Sequence, residues 1–276
     1  MNVSGNIFWF AIALVAISFR YQNMRRFEGR VIAISGAASG LGRDLAQAFA
    51  REGARKLYLF DIDMAGLTRT ADALSVDTTT HVCDVSSETS VEAAWRELPQ
   101  ATGLDVLVTA AGTIGAGSAI DACSLEEWDR VFNINVRGTF LMVRRALPLL
   151  KKNNGNIVTF SSTAGLAGSG TLPAYSASKG AVAMFTRSLA LAYAKDGIRA
   201  NSVCPGSIET PMLQATFEAA GSPDAVEARK AEYLKRYPLG RFGTPREVTD
   251  AALFLASEQA SYTTGVCLPV DGGRLA

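Results

Sequence analysis

The sequence has few of the residues on which several common classes of protein depend. It contains one histidine, His81, and four widely spaced cysteines, Cys83, Cys123, Cys204 and Cys267. A hydrolase with a Ser-His-Asp triad would have to use that single histidine. The cysteine spacing excludes a zinc knuckle and a C-x-x-C redox pair. We therefore expect no metal site, and reduced, mostly structural thiols in a reducing compartment.

The chain also lacks net charge. It has 27 Lys and Arg against 26 Asp and Glu, which leaves a formal charge of +1. A nucleic-acid-binding protein normally has a clear basic excess, so we expect no nucleic-acid partner. Hydrophobic residues make up 48% and charged residues 19% of the 276 residues, as in an ordinary folded domain. No repeat, low-complexity run or long linker divides the chain after residue 30, which indicates a single domain.

The N-terminus differs from the rest in having a long uncharged stretch. Residues 1–19 contain no charge and four arginines follow by residue 30. A helix of that length rises about 28 Å, close to the thickness of a bilayer core, and the basic flank would hold the domain on the cytoplasmic side. Only residues 7–19 are densely apolar, which is more typical of a docked or interfacial helix. Translation from Met24 is a third alternative. We therefore separate a leader, residues 1–26, from a domain, residues 27–276, expected in the cytoplasm, with membrane contact through the leader as the alternative.

Short apolar runs alternate with longer amphipathic stretches along the domain. The runs predict strands at residues 31–35, 57–60, 81–83, 106–109, 157–160, 200–203 and 266–270. They hardly alternate between apolar and polar residues, as expected of strands buried on both faces. Helical patterns lie between them, including a capping box at residues 124–127 and a long stretch at 174–195. This order predicts an α/β fold with a doubly wound, mostly parallel sheet and helices on both faces.

A glycine-rich turn stands between the first predicted strand and the first predicted helix. Residues 35–42 read SGAASGLG. Gly36 permits a tight turn, Gly40 lets a pyrophosphate approach the backbone, and Gly42 allows close packing of helix on strand. The N–H groups at the start of the helix favour an anion. A flexible loop is the alternative, but the position at the first strand–helix junction favours dinucleotide binding.

An acidic residue follows at the spacing expected for such a site. Asp61 stands 19 residues after Gly42, at the end of the second predicted strand. Its carboxylate would accept hydrogen bonds from the adenosine ribose and repel a 2′-phosphate. Ile62 follows it, so no adjacent arginine is available for that phosphate. We therefore predict a preference for NAD over NADP, with a simple turn carboxylate as the alternative. Asp84, after the third strand, is a weaker candidate near the adenine.

A phenol and an amine stand one helical turn apart in the predicted helix at residues 174–195. They are Tyr175 and Lys179, and Ser162 precedes the pair by 13 residues, just after the fifth predicted strand. A free tyrosine has a pKa of about 10, too high for a base at neutral pH. A nearby ammonium stabilises phenolate, so we expect Lys179 to lower the pKa of Tyr175. Ser162 would hold the substrate oxygen near the phenol. A packed tyrosine beside a solvated lysine is the alternative.

Together these patterns resemble the short-chain dehydrogenase/reductase family, in its common form of about 250 residues, from about residue 27 to the C-terminus. The segments that carry the resemblance are residues 35–42, Asp61, Cys83-Asp84-Val85, residues 109–112, residues 133–138, Ser161-Ser162, residues 175–179, Pro205-Gly206 and residues 270–273. The resemblance implies a Rossmann-like sheet. It also implies a catalytic set of Ser162, Tyr175 and Lys179, joined by Asn135 in a water-mediated proton relay to the lysine. Asn133 competes for the relay role.

The resemblance also implies the cofactor contacts and the assembly. The implied contacts are Ser35, Gly36, Ser39, Gly40, Leu41, Gly42, Asp61, Ile62, Asp84, Val85, Ala111, Gly112, Tyr175, Lys179, Pro205, Gly206, Ile208 and Thr210. Ile208 and Thr210 would meet the nicotinamide carboxamide through backbone and hydroxyl. A homotetramer built partly through residues 124–151 and 174–195 is expected.

Two departures from the family pattern stand near the cofactor. The usual threonine before the first glycine is Ser35, which keeps the hydroxyl. The usual pair of asparagines after the fourth strand is Thr109-Ala110. Loss of both amides removes hydrogen bonds that normally brace the central strands, while the catalytic residues are unaffected.

These observations predict an NAD-dependent oxidoreductase that interconverts a secondary alcohol and a ketone, with Tyr175 as proton acceptor and donor. Residues 208–237 would form a lid whose apolar side chains include Met212, Leu213, Phe217, Tyr233 and Leu234. They suggest an apolar substrate, such as a cyclic, terpenoid or steroid-like molecule, unless they only pack the lid itself. The alternatives are a 3-oxoacyl thioester reductase, a dehydratase or epimerase, and a non-enzymatic cofactor-binding relative.

Overall fold

Seven strands form a single parallel sheet in the computed structural model, which describes residues 25–98, 103–117 and 119–276. The strands are β1 Val31–Ser35, β2 Lys56–Asp61, β3 Asp77–Val82, β4 Val106–Thr109, β5 Asn156–Phe160, β6 Arg199–Pro205 and β7 Cys267–Val270. Their order is β3-β2-β1-β4-β5-β6-β7, with every neighbouring pair parallel. Every residue of β1, β4 and β5 is buried, which explains their largely apolar sequences and the lack of alternation.

Helices cover both faces of this sheet. They are α1 Gly40–Arg51, α2 Met64–Asp72, α3 Glu88–Arg96, α4 Leu125–Phe132, α5 Gly138–Asn153, α6 Thr163–Ala167, α7 Pro173–Tyr193, α8 Pro211–Glu218, α9 Pro223–Leu234 and α10 Pro245–Ala256. One core cluster joins the sheet to α1, α2 and α10, and a second joins it to α3, α5 and α7. The predicted single domain with a doubly wound parallel sheet is therefore confirmed.

The third strand lies partly outside its predicted position. An apolar run predicted it at residues 81–83, whereas β3 spans Asp77–Val82 and contains Thr78, Thr79 and Thr80. It is the edge strand of the sheet. An edge strand needs little burial, and β-branched threonine fits the pleated backbone without an apolar partner. The search for apolar runs missed most of this strand for that reason.

The strand order reverses at the centre of the sheet. β1 lies between β2 and β4, so the chain continues toward opposite edges from there. In open α/β sheets a crevice forms at this switch point, beyond the carboxyl ends of the strands. The predicted glycine turn, Asp61, and the segments after β4, β5 and β6 all follow strands at that edge. The fold thus brings segments distant in sequence to one place.

The leader lies almost entirely outside the described residues, which begin at residue 25. Arg26 forms an ion pair with Glu52, and the ring of Phe27 packs edge-on against Phe49, with centroids 4.6 Å apart. Within the described part of the chain, the structure has no helix that combines the length and the apolar character needed to cross a membrane.

Candidate active site

The glycine turn after β1 is shaped by close backbone packing. Gly36 has φ +75°, and a Cβ there would lie 2.6 Å from the backbone nitrogen of Ala111. A Cβ on Gly42 would overlap the carbonyl oxygen of Gly36. Gly40, with φ +51°, instead has no atom within 4 Å of its Cβ position, so the turn is open on that side. A backbone with one open face at a helix N-terminus fits the pyrophosphate of a dinucleotide.

The carboxylate of Asp61 is held at the end of β2 by backbone donors. Its Oδ2 accepts a hydrogen bond from the Ala38 nitrogen at 2.9 Å, and its Oδ1 accepts one from the Asp63 nitrogen at 3.0 Å. The side chain is only half-buried, and Ile62 beside it is 68% exposed. Asp61 therefore supports the glycine turn and still presents a fixed negative charge to the crevice.

A crevice of about 350 Å³ brings most of the predicted cofactor contacts together. Its lining includes Gly36, Ser39, Gly40, Leu41, Gly42, Asp61, Ile62, Asp84, Val85, Ala111, Gly112 and Thr210. Ser35 is placed differently, because it is 1% exposed and lies behind the turn. Its hydroxyl accepts a hydrogen bond from the Ala111 nitrogen at 3.4 Å, so it joins the ends of β1 and β4 instead of facing the crevice.

An adjoining cavity of about 160 Å³ is lined by three of the four predicted catalytic residues. Ser162, Tyr175 and Lys179 line it together with Pro205, Gly206 and Ile208. Leu41, Gly112, Thr113, Thr210 and Met212 line both spaces, so the two are continuous. A reacting group in the smaller cavity would therefore lie next to a cofactor in the larger crevice.

The three catalytic candidates lie close to one another. Ser162 caps α6, where its hydroxyl accepts from the Ala164 nitrogen at 3.1 Å, and its side chain is hydrogen-bonded to the Tyr175 hydroxyl. Lys179 donates from Nζ to the carbonyl oxygen of Phe160 at 2.8 Å. That Nζ lies 5.7 Å from the centre of the Tyr175 ring. The phenol and the amine thus share one environment.

Burial determines the protonation of this pair. It raises the pKa of Tyr175, and the hydrogen bond with Ser162 opposes that rise. Burial lowers the pKa of Lys179 to about 8. The expectation that Lys179 lowers the pKa of Tyr175 is therefore not met in this structure, because desolvation is the largest influence on the phenol. The phenol is protonated at neutral pH in this state, and its use as a base requires a change in its surroundings.

Asn135 stands in an irregular turn next to this pair. Residues Asn133–Arg137 form a π-helical turn between α4 and α5, a feature often found at functional sites. The Asn135 amide donates to the Thr113 carbonyl oxygen and to the Ser178 hydroxyl, and its Oδ1 accepts from the Thr113 nitrogen at 2.8 Å. Asn135 is buried, whereas Asn133 is exposed. The structure therefore brings Asn135, of the two candidates, to the site.

The missing amides after β4 leave a gap in the hydrogen bonding. The Thr109 hydroxyl is buried and has no hydrogen-bond partner among the described residues. Ser35 supplies part of the bracing, since its carbonyl and hydroxyl oxygens accept from the nitrogens of Ala110 and Ala111. The described part of the chain thus has an unpartnered hydroxyl, that of Thr109, where the resemblance predicts lost bracing.

The predicted lid forms two helices, α8 and α9, over the cavity. Met212, Leu213 and Tyr233 line the cavity. Phe217 is instead buried in the lid, with its ring 5.3 Å from that of Tyr233 and 5.4 Å from that of Phe242. These apolar residues therefore divide between the lining of the cavity and the packing of the segment itself.

Two arginines in the cavity lining, Arg236 and Arg274, had no counterpart in the sequence-based prediction. Neither stands in a motif or a periodic pattern. Arg274 follows the two glycines after β7, and a sequence pattern does not reveal that this turn returns the chain to the cavity.

The fold and the crevice at its switch point define a protein of the Rossmann-like class. Comparisons with known proteins agree. A family model described as enoyl-(acyl carrier protein) reductase matches residues 36–274. The 2-(S)-hydroxypropyl-CoM dehydrogenase 3 of Xanthobacter autotrophicus is 42% identical over 257 residues, which cover 91% of this chain and 98% of that protein. Dehydrogenase/reductase SDR family member 6 of Rattus norvegicus is 39% identical over 252 residues, 91% of this chain and 99% of that protein.

Solved structures agree as well. The crystal structure of levodione reductase superposes with a TM-score of 0.85 at 33% identity, covering 90% of this chain and 98% of that one. The chain belongs to the short-chain dehydrogenase/reductase family, an oxidoreductase family whose dehydrogenases use nicotinamide cofactors.

Proposed function

We propose that the protein is an NAD-dependent oxidoreductase that interconverts a secondary alcohol and a ketone. The observation that carries the proposal is the hydrogen-bonded pair of Ser162 and Tyr175 next to Lys179, in a cavity continuous with the dinucleotide-type crevice. In this arrangement a proton donor and acceptor would lie beside the reacting carbon of a bound substrate.

Each residue has a separate task in this reaction. Bound NAD supplies the hydride acceptor. Ser162 donates a hydrogen bond to the substrate oxygen and orients it toward Tyr175. The Tyr175 hydroxyl accepts the proton of the alcohol during oxidation and returns one to the ketone during reduction. Once bound cofactor has changed the surroundings of the phenol, Lys179 would stabilise the phenolate by its charge. Asn135, which is hydrogen-bonded to Thr113 and Ser178, would join the lysine in a proton relay.

The preference for NAD rests on Asp61. Its carboxylate is held by hydrogen bonds from the Ala38 and Asp63 nitrogens, which oppose its turning away from a 2′-phosphate. Two negative groups brought together at the half-exposed end of the crevice would repel each other. The glycine turn, Ala111 and Gly112 would hold the rest of the cofactor.

We propose a small secondary alcohol or ketone with an apolar body as substrate. Ile114, Leu172, Ile208, Met212 and Leu213 supply an apolar wall. A 3-oxoacyl thioester reductase remains the second candidate, because the 3-oxoacyl-[acyl-carrier-protein] reductase of Thermotoga maritima is 36% identical to this chain over 252 residues. Turnover of an acetoacetyl thioester with NADH, compared with turnover of simple ketones, distinguishes the two.

We also propose a homotetramer in the cytoplasm. Exposed apolar side chains on α4, α5 and α7, among them Leu125, Phe140, Met184 and Leu191, support contacts between subunits through the predicted segments. The four cysteines are free thiols, which suits a reducing compartment.

Replacement of Tyr175 by Phe tests the proposed reaction. We expect kcat/KM with NAD and a panel of secondary alcohols to fall by about 10²- to 10⁴-fold, because the phenol is the proton carrier. NAD binding, measured by calorimetry, should change less than about twofold. Tyr262→Phe is the matched control, since Tyr262 is fully exposed and distant in sequence from the catalytic set. Turnover of Tyr175→Phe at the rate of the unmodified protein would overturn the assignment.

A further inference from the structure

The charge of the small cavity is one-sided. Among the described residues, its lining contains the three cations Lys179, Arg236 and Arg274 and no aspartate or glutamate. Lys179 is used within the catalytic set, where it bonds to the Phe160 carbonyl oxygen. The two arginines have no task in the proposed proton transfer, so they require another explanation.

Arg274 is the better fixed of the two. Its Nη1 donates to the hydroxyl of Thr163 at 3.0 Å, and Thr163 is fully buried next to Ser162. The chain reaches this position by a turn in which Gly272 and Gly273 have φ of +60° and +87°. The Arg274 nitrogen closes the turn by donating to the Asp271 carbonyl oxygen at 3.3 Å. The guanidinium is therefore anchored at one end to the loop that bears the catalytic serine.

No carboxylate in the described ranges neutralises Arg274. It takes part in none of the ion pairs found among residues 25–98, 103–117 and 119–276. Asp271, the nearest acid in sequence, instead accepts from the nitrogens of Gly273 and Leu275, both at 3.0 Å. A guanidinium has five N–H donors in a planar fork that matches a carboxylate. One donor goes to Thr163, and the cavity is where a partner for the others could bind.

We propose that Arg274 binds a carboxylate group of the substrate, so that the alcohols and ketones used are short hydroxy acids and oxo acids. This inference deepens the proposed function and rests on it. The apolar wall then contacts the carbon chain between the acid group and the reacting carbon, and the modest cavity volume suits a short chain. Arg236 adds a second positive charge at the rim, with its guanidinium carbon 4.5 Å from the centre of the Tyr233 ring.

The test compares acids with their neutral counterparts. We would measure kcat/KM with NAD for straight-chain hydroxy acids of about four to six carbons, with the hydroxyl at each internal position, and for their methyl esters. The unmodified protein should use the best acid at least about tenfold better than its ester. Arg274→Gln should reduce this acid-to-ester ratio by about 10- to 100-fold, because a charge-assisted hydrogen bond is lost. Arg274→Lys should retain part of the ratio.

Controls separate recognition from folding and from cofactor binding. Arg246→Gln is the matched variant, because Arg246 is exposed on α10 and pairs with Asp250; it should leave the ratio unchanged. The melting temperature and the Kd for NAD are measured for each variant. An equal loss with acid and ester in Arg274→Gln, or a loss explained by weaker NAD binding, would overturn the proposal.

The two levels of proposal fail differently. Turnover of neutral secondary alcohols and esters without any preference for acids would overturn the role of Arg274 and leave the proposed function in place. If no hydroxy compound is oxidised, the proposed function fails. The role of Arg274 is then tested by the binding of a carboxylate that does not react. In that case pentanoate, but not pentanamide, should raise the melting temperature of the unmodified protein, and Arg274→Gln should abolish the shift. The absence of a shift with pentanoate would overturn the inference.

Discussion

Lys179 is a charged side chain that the fold has largely removed from water. It is 6% exposed, and burial lowers its pKa from 10.5 to about 8. Between these two values the unfolded chain binds more protons than the folded one. The free energy of unfolding should therefore rise with pH across that interval, by up to about 3 kcal/mol from this group. Below about pH 8 the destabilisation by the buried charge is fully present.

Urea unfolding of the unmodified protein and of Lys179→Met, between about pH 7 and 10.5, measures this contribution. We expect Lys179→Met to gain less stability with rising pH than the unmodified protein. Burial raises the pKa of Cys83 in both proteins, so the difference between the two curves reports the amine together with its interaction with Cys204. Parallel curves would show that the amine has an ordinary pKa in the folded chain.

Asp61 gives a second prediction at this scale. Asp61→Asn should retain an oxygen to accept from Ala38 but lose the negative charge that repels a 2′-phosphate. We expect the ratio of kcat/KM with NAD to that with NADP to fall by at least about tenfold. Asp72→Asn, at the exposed end of α2, is the control. An unmodified protein that prefers NADP from the start would contradict the role given to Asp61.

Three residues line the crevice or the adjoining cavity where the sequence pattern placed them, and their roles there stay predictions. Gly36, Asp61 and Tyr175 each follow or begin a regular element, and local spacing is enough to place them. Arg274 contacts Thr163, which is 111 positions away, and only the packed fold brings these two together. The spacing of Tyr175 and Lys179 also could not predict the raised pKa of Tyr175, because desolvation depends on all the residues packed around the ring.

At the scale of elements, the sequence predicts where the helix starting at Leu125 is capped, but only part of the hydrogen bonding of that cap. The Ser124 hydroxyl accepts from the Glu127 nitrogen, as the capping box predicts. The Glu127 carboxylate does not return to Ser124, however, and binds the Ala116 nitrogen and Arg130 instead. The Arg130 guanidinium and the Ala116 amide bind the Glu127 carboxylate in place of the Ser124 nitrogen. The four-residue pattern at 124–127 contains neither partner and could not predict them.

The lid depends on one buried ring. Phe217 is 3% exposed between Tyr233 and Phe242, whereas the lid helices otherwise bury few side chains. Phe217→Ala should open a cavity that costs about 3 kcal/mol or more locally. We expect faster trypsin cleavage within α9 and a substrate KM raised by about tenfold, because the lid opens more often. Gln214→Ala, exposed on α8, should change neither. Equal cleavage of Phe217→Ala and the unmodified protein would contradict this view of the lid.

At the scale of the whole molecule, the sheet and its single-domain organisation followed from the pattern, whereas the assembly must be measured. Met184 and Leu191 on α7 are 57% and 84% exposed. If α7 joins subunits, Met184→Asp should place a charge in an apolar contact and reduce the molar mass found by light scattering. Arg246→Asp, on α10, is the control. A monomeric unmodified protein would contradict the predicted tetramer, and a Met184→Asp variant of unchanged mass would contradict its assembly through α7.

The π-helical turn at Asn133–Arg137 is a position where an insertion or deletion of one residue should not be tolerated. Its one extra residue per turn sets the rotation of all of α5 relative to α4, and each residue of a helix advances the side chains by about 100°. A single-residue deletion there would restore regular winding but rotate the buried stripe of α5, including Leu141, Met142 and Val143, away from the sheet. The same deletion would withdraw Asn135 from Thr113. The π-helical turn therefore couples the packing of α5 to the position of Asn135, so a change in chain length there would alter both.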